Sequence, residues 1–136
     1  MVTEFRGKYS FLSNFYEAPV TYNGVTYKNN EAAFQAQKCP SRAHEFSSLS
    51  PNIAKSLGRR VLLRSDWEQI KEQVMYEICV AKFTQNPDLM SQLLQTEGTI
   101  EEGNYWHDTT WGVDLKTGQG HNKLGKILMR IREENK

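Results

Sequence analysis

Apolar and polar positions change rhythm several times along these 136 residues, and each change predicts an element. Val20-Thr21-Tyr22 and Val25-Thr26-Tyr27 alternate at the two-residue period of a half-buried strand, with Asn23-Gly24 between them. Asn-Gly is the strongest short hairpin signal, because both turn positions need positive φ. The aromatic run from Tyr9 to Tyr16 reads as an earlier strand running into a loop before Pro19.

The period then lengthens. Asn29 or Asn30 can cap a helix that begins near Glu31 and runs to about Cys39, where Pro40 pushes the residue before it out of helical geometry. A second short helix is expected from Arg42 to Ser47, and a third from Pro51 to Gly58, with proline at its first position. Val61-Leu62-Leu63 is a short apolar run that suits a strand. Ser65 and Glu68 have the spacing of a capping box. The helix behind them is the longest, from Trp67 to about Gln85. Its apolar residues (Trp67, Ile70, Val74, Met75, Ile78, Cys79, Ala81, Phe83) cover more than half the circumference, which predicts a central, mostly buried helix. Asp88 to Gln95 gives another. From Thr96 to Gly120 glycines break the pattern among Trp106, His107, Asp108 and Trp111. A final helix follows from about Asn122 to Glu134, with Leu124, Ile127, Leu128 and Ile131 on its core face and its basic residues elsewhere. The sum is an α+β fold: a single domain over 1–136, mostly helical, with a small antiparallel sheet.

Composition narrows the functional classes. Apolar residues make up 38% of the chain, enough for a real core. Lys plus Arg is 17 and Asp plus Glu is 16, so the charge of +1 argues against binding nucleic acid by bulk charge alone. No run of about 18 apolar residues exists, so no membrane partner is expected. The opening Met1–Arg6 lacks an apolar signal core, and a cytoplasmic location is expected. Cys39 and Cys79 are far apart, without CxxC or Cys/His spacing; they read as small buried or semi-buried thiols rather than a disulfide or zinc site. Neither metal nor cofactor is expected, and no feature specifies an oligomeric state.

Two stretches could carry chemistry. Glu31, Gln35 and Lys38 fall on one helical face, on a helix otherwise built from small or apolar residues. Such a stripe can face a pocket, or it can be a solvated surface stripe. Trp106-His107-Asp108-Thr109-Thr110-Trp111-Gly112 sets two indoles around an acid in a glycine-rich loop. The indoles offer flat faces for a base or sugar, or they pin the loop to a core. Gly58-Arg59-Arg60 with Arg64 forms a basic cluster suited to phosphate, or a solvated face beside Asp66 and Glu68. Gly118 to Lys126 is a glycine-rich lead into a helix, without P-loop spacing.

Taken in order, the motifs resemble a known family. They are Phe11-Leu12-Ser13-Asn14-Phe15-Tyr16, Asn30-Glu31-Ala32-Ala33-Phe34-Gln35-Ala36-Gln37-Lys38, Leu57-Gly58-Arg59, Arg64-Ser65-Asp66-Trp67, Lys82-Phe83-Thr84-Gln85-Asn86, Asp108-Thr109-Thr110-Trp111-Gly112, and Gly120-His121-Asn122-Lys123-Leu124-Gly125-Lys126-Ile127-Leu128-Met129. The series is similar to the YbiA-like, or NADAR, family of N-glycosidases, which includes RibX-type proteins associated with riboflavin biosynthesis. The resemblance implies hydrolysis of a ribosyl N-glycosidic bond in a small-molecule substrate. The expected substrates are phosphorylated ribosylamino-pyrimidine intermediates of riboflavin synthesis. The alternatives are ADP-ribose on guanine bases of DNA or RNA, and a nucleotide-binding module without turnover. It also implies catalytic roles for Glu31, Asp108, Lys38 and Trp67. A carboxylate can stabilise an oxocarbenium-like state or activate water, while Lys38 could instead attack the anomeric carbon of an opened sugar and form a Schiff base. Asn14, Phe15, Gln35, Arg59, Arg64, Trp111, Gly112 and Asn122 are the expected substrate contacts. The chain departs from the family pattern at Ala32-Ala33, where an aromatic or histidine pair is common. It departs again at Val113-Asp114, which makes Asp114 a competitor of Asp108 for the second carboxylate role.

Overall fold

A computed structural model describes residues 1–136. It divides into a continuous unit, residues 14–87, and a second unit formed by residues 1–13 together with 88–136. No helix is long and apolar enough to cross a membrane.

The continuous unit begins with the expected hairpin, β1 (Glu17–Tyr22) and β2 (Val25–Asn29), antiparallel with Val20 opposite Tyr27 and Tyr22 opposite Val25. Asn23 and Gly24 have φ of 49° and 80°, as the tight turn requires. Val20, Val25 and Tyr27 face the core. Helix α1 (Asn30–Ala36) follows without a break, and every one of its residues is buried. Asn29 is its cap: its side chain accepts from the Ala32 amide at 2.8 Å. Helix α2 (Pro51–Gly58) packs on α1, and α3 (Trp67–Gln85) packs on β1 and α1. The end of α3 is tied to the hairpin edge. Thr21 donates its amide to Gln85 Oε1 at 2.8 Å, Gln85 Nε2 donates back to Thr21 O at 3.0 Å, and Asn86 Nδ2 donates to Pro19 O at 3.0 Å. These bonds satisfy backbone groups that an edge strand would otherwise leave open.

In the other unit, Val2 bridges Ile100 in parallel, and helix α4 (Pro87–Gln95) buries Leu89 and Leu93. A parallel pair, β3 (Gly103–Asn104) with β4 (Val113–Asp114), lies within the glycine-rich stretch. Helix α5 (Lys123–Glu134) buries Leu124, Leu128 and Ile131. The α+β class, the helical majority and the small antiparallel sheet are as expected, and both thiols are free, Cys79 buried and Cys39 half-buried.

Several local expectations are corrected. Gly7–Leu12 is a 3-10 helix, not a strand; it closes on itself through Tyr9 N to Arg6 O and Ser13 N to Ser10 O. The expected helix over Arg42–Ser47 is a 3-10 helix, Pro40–Phe46. Val61-Leu62-Leu63 forms no strand: only Val61 is buried, and Leu62 is 86% exposed. The capping box does not close, because Asp66 occupies the cap position and its carboxylate is taken by Arg64 at 2.6 Å. Arg132, expected away from the core face of α5, is not excluded from the interior. It is buried and donates to Thr96 Oγ1 and Gly98 O at 3.0 and 2.7 Å.

Candidate active site

In the continuous unit, α1 sets the geometry. The Asn29 cap, together with the bond from the Glu31 amide to Asn14 O at 3.0 Å, fixes where the helix starts. Asn14 is itself buried and held by Asn30, whose Nδ2 donates to Asn14 Oδ1 at 3.2 Å. Glu31 therefore enters on the first turn as a buried residue, 9% exposed. One turn on, Gln35 donates from Nε2 to Glu31 Oε2 at 2.7 Å. The helical stripe is thus a buried polar face, not a solvated one.

Lys38 lies just past the end of α1, half-buried. Burial pushes its ammonium below the usual lysine range; Glu31 works against that, while Arg59, Lys55 and Lys71 add to it. One carboxylate and three further cations thus act on this amine. Arg59 is exposed, and Lys55 sits 5.7 Å over the ring of half-exposed Phe15. Arg64 is engaged elsewhere, gripping Asp66 through its side chain and Lys38 O through its amide at 3.0 Å. Trp67 is 4% exposed and packs on Phe34, ring centroids 5.0 Å apart at 55°. Its visible work is to back α1.

The glycine-rich loop belongs to the other unit. Asp108 Oδ1 accepts the amides of Thr110 and Trp111 at 3.0 and 2.9 Å, and its backbone is clamped by both ends of the Asn104 amide. Asp108 thereby builds the turn that presents half-exposed Trp111. Gly112 leaves no room for a side chain: a Cβ there would sit 2.2 Å from Glu102 O and collide with the Glu102 carboxylate. Asn122 has both amide ends committed to backbone. Oδ1 accepts from Glu102 N at 3.0 Å, and Nδ2 donates to Ile100 O at 2.9 Å.

Asp114 is buried, with Oδ2 2.6 Å from His107 Nδ1 and Oδ1 accepting the Lys116 amide at 2.9 Å. The bond to His107 holds its carboxyl below the usual range. The rival carboxylate is thus occupied within the loop. Sequence reasoning missed this pairing because residues 107 and 114 share no periodic element. It also missed Asn104 as the hub of the loop, and Lys82 as a fully buried lysine over the Tyr16 ring.

The structure therefore brings Glu31, Gln35, Lys38 and Arg59 together around one helix, and Asp108, Trp111, Gly112 and Asn122 together around one loop. A family model described as the NADAR domain matches residues 3–135. N-glycosidase YbiA of Escherichia coli (strain K12) is 37% identical over 131 residues, spanning 93% of this chain and 81% of that protein. A riboflavin biosynthesis protein of Vibrio vulnificus (strain YJ016) is 37% identical over the same length, which is 35% of that larger protein. The NMR structure of E. coli YbiA superposes with a TM-score of 0.85 at 34% identity, covering 99% of this chain and 84% of that one.

Proposed function

This chain belongs to the NADAR domain family, and on that premise we propose that it is an N-glycosidase that hydrolyses phosphorylated ribosylamino-pyrimidines, with Glu31 and Lys38 as the working pair. The activity class is that of relatives named N-glycosidase, and the substrate is suggested by relatives named for riboflavin biosynthesis. The observation that carries the reading is a buried carboxylate, Glu31, beside a desolvated amine, Lys38, in a cationic surround of Arg59, Lys55 and Lys71. The cations suit a substrate phosphate.

The chemistry follows from charge. As the C1–N bond breaks, its electron pair leaves with the base nitrogen and positive charge grows on C1 and the ring oxygen. A fixed carboxylate stabilises that charge and can take a proton from the attacking water. The water oxygen ends on C1, and the base leaves with the proton. Lys38 supports a second route on the same residues. Burial enlarges its neutral fraction, and a neutral Nζ can attack C1 of the opened sugar, expel the base amine and form a Schiff base. Water then releases the sugar and restores the lysine. In both routes Glu31 is required. Asp108 enters as the residue that shapes the Trp111 loop.

The test offers the purified protein a ribosylamino-pyrimidine 5-phosphate and, separately, an ADP-ribosylated guanine oligonucleotide. Release of ribose 5-phosphate from the first alone is expected. Glu31→Gln should lower kcat by about 10² to 10⁴-fold, the usual worth of a positioned acid–base group. Unchanged turnover in that variant rejects the site. Turnover of only the oligonucleotide moves the substrate to the ADP-ribosyl class. Binding of either without product makes the chain a binding module.

A further inference from the structure

Gly58 ends α2, and nothing in its backbone asks for glycine. Its φ lies outside the left-handed range, and glycine in place of alanine weakens a helix. What distinguishes the position is space. A Cβ built on Gly58 would lie 2.0 Å from Gln35 Oε1, 2.8 Å from Gln35 Cδ and 3.2 Å from Gln35 Cβ. The obstacle is the body of a buried side chain, which is 5% exposed and has no solvent into which to swing. Gln35 Oε1 is buried against this gap with no hydrogen-bond partner of its own, while the other end of the same amide holds Glu31 Oε2 at 2.7 Å.

The amide is therefore seated from both sides: one end by the carboxylate, the other by the bare Cα of α2. From this we infer that Gly58 is a positioning residue for Glu31, acting through Gln35. The proposal rests on the functional reading above for the role of Glu31. It adds that the Leu57-Gly58-Arg59 motif and the Gln35 motif are two halves of one device. Any side chain at 58 pushes the Gln35 amide along α1 or turns it, and Glu31 loses the Gln35 donor one helical turn away. A hydrogen bond to an ionised carboxylate favours the ionised form, so its loss also makes Glu31 harder to deprotonate.

The test is a double-mutant cycle with Gly58→Ala, Gln35→Ala and the pair, assayed by ribose 5-phosphate release across pH. Each single variant should lower kcat by ~10-fold or more, in line with a charged hydrogen bond, with KM within about twofold. The acid limb of the kcat profile should move to higher pH, a shift that simple loss of stability does not produce. Once Gln35→Ala has emptied the gap, adding Gly58→Ala should change nothing further. Wild-type kcat and pH profile in Gly58→Ala overturn the inference, as does a double variant that loses the product of the two single effects. If Gly58→Ala alone does not fold, the double variant must regain the fold by circular dichroism, and its failure to do so also overturns the inference. Glu31→Gln, run alongside, separates the two claims. An active Glu31→Gln rejects the functional reading, whereas an inactive one beside a wild-type Gly58→Ala rejects only the role of Gly58.

Discussion

Asn29 joins the hairpin to the helix that carries Glu31, and its removal has a cost that can be worked out. Its side chain is fully buried. Oδ1 accepts from Ala32 N at 2.8 Å, capping α1, and Nδ2 donates to Leu49 O at 3.1 Å. Losing the cap costs about 1 kcal/mol. Leaving the Leu49 carbonyl without its donor costs about 1–3 kcal/mol more. Asn29→Ala should therefore lose about 2–4 kcal/mol. Asn29→Ser keeps a capping oxygen but cannot reach Leu49, so it should lose only the second part. Urea denaturation of the three proteins, followed by circular dichroism with a common slope, measures both differences. The gap between the variants should be about 1 kcal/mol. If the serine and alanine variants are equally unstable, the capping argument is refuted. If both lie within 0.5 kcal/mol of wild type, about the range of an ordinary surface change, the whole account of this junction is wrong.

Two other outcomes follow from buried polar groups. Burial pushes Lys82 down to about 8, so between that value and the unfolded lysine value near 10.4 the unfolded chain holds more protons and the Lys82 contribution to stability rises with pH. Below about 8 both states hold the proton, and this pH dependence vanishes. Set against wild type, Lys82→Met should therefore fare better at pH 7 than at pH 10, the difference in urea titrations changing by up to about 3 kcal/mol; Cys79, pushed up to about 12 by burial, opposes the wild-type rise above pH 9. Asn122→Ala strands Glu102 N and Ile100 O, at about 1–3 kcal/mol each, and should show as loss of stability in urea and as faster proteolysis between residues 105 and 112.

What the chain revealed in advance tracks how local each cause is. The Asn23-Gly24 turn, the Pro51 start of α2 and the bounds of α3 depend on neighbours a few residues away, and they appear where the pattern put them. The 3-10 helix at Gly7–Leu12 was not legible, because an aromatic run becomes a strand only if a partner strand exists, and none does. Ser65 had the spacing of a cap, but Arg64 drew Asp66 into that position instead. At the site, the Glu31–Gln35 contact was readable as i, i+4 spacing. Its burial was not, since that comes from α2 and α3 packing over α1. The His107–Asp114 pair and the Asn104 hub depend on loop closure alone and leave no periodic trace.

The bridge between Val2 and Ile100 carries a consequence for synthesis on the ribosome. Residues 14–87 emerge as an unbroken stretch and can close on themselves while translation continues. Val2 has to wait until residue 100 leaves the exit tunnel, with nearly a hundred residues of intervening chain to bring its ends together. A segment made well before residue 100 is therefore among the last to find its place.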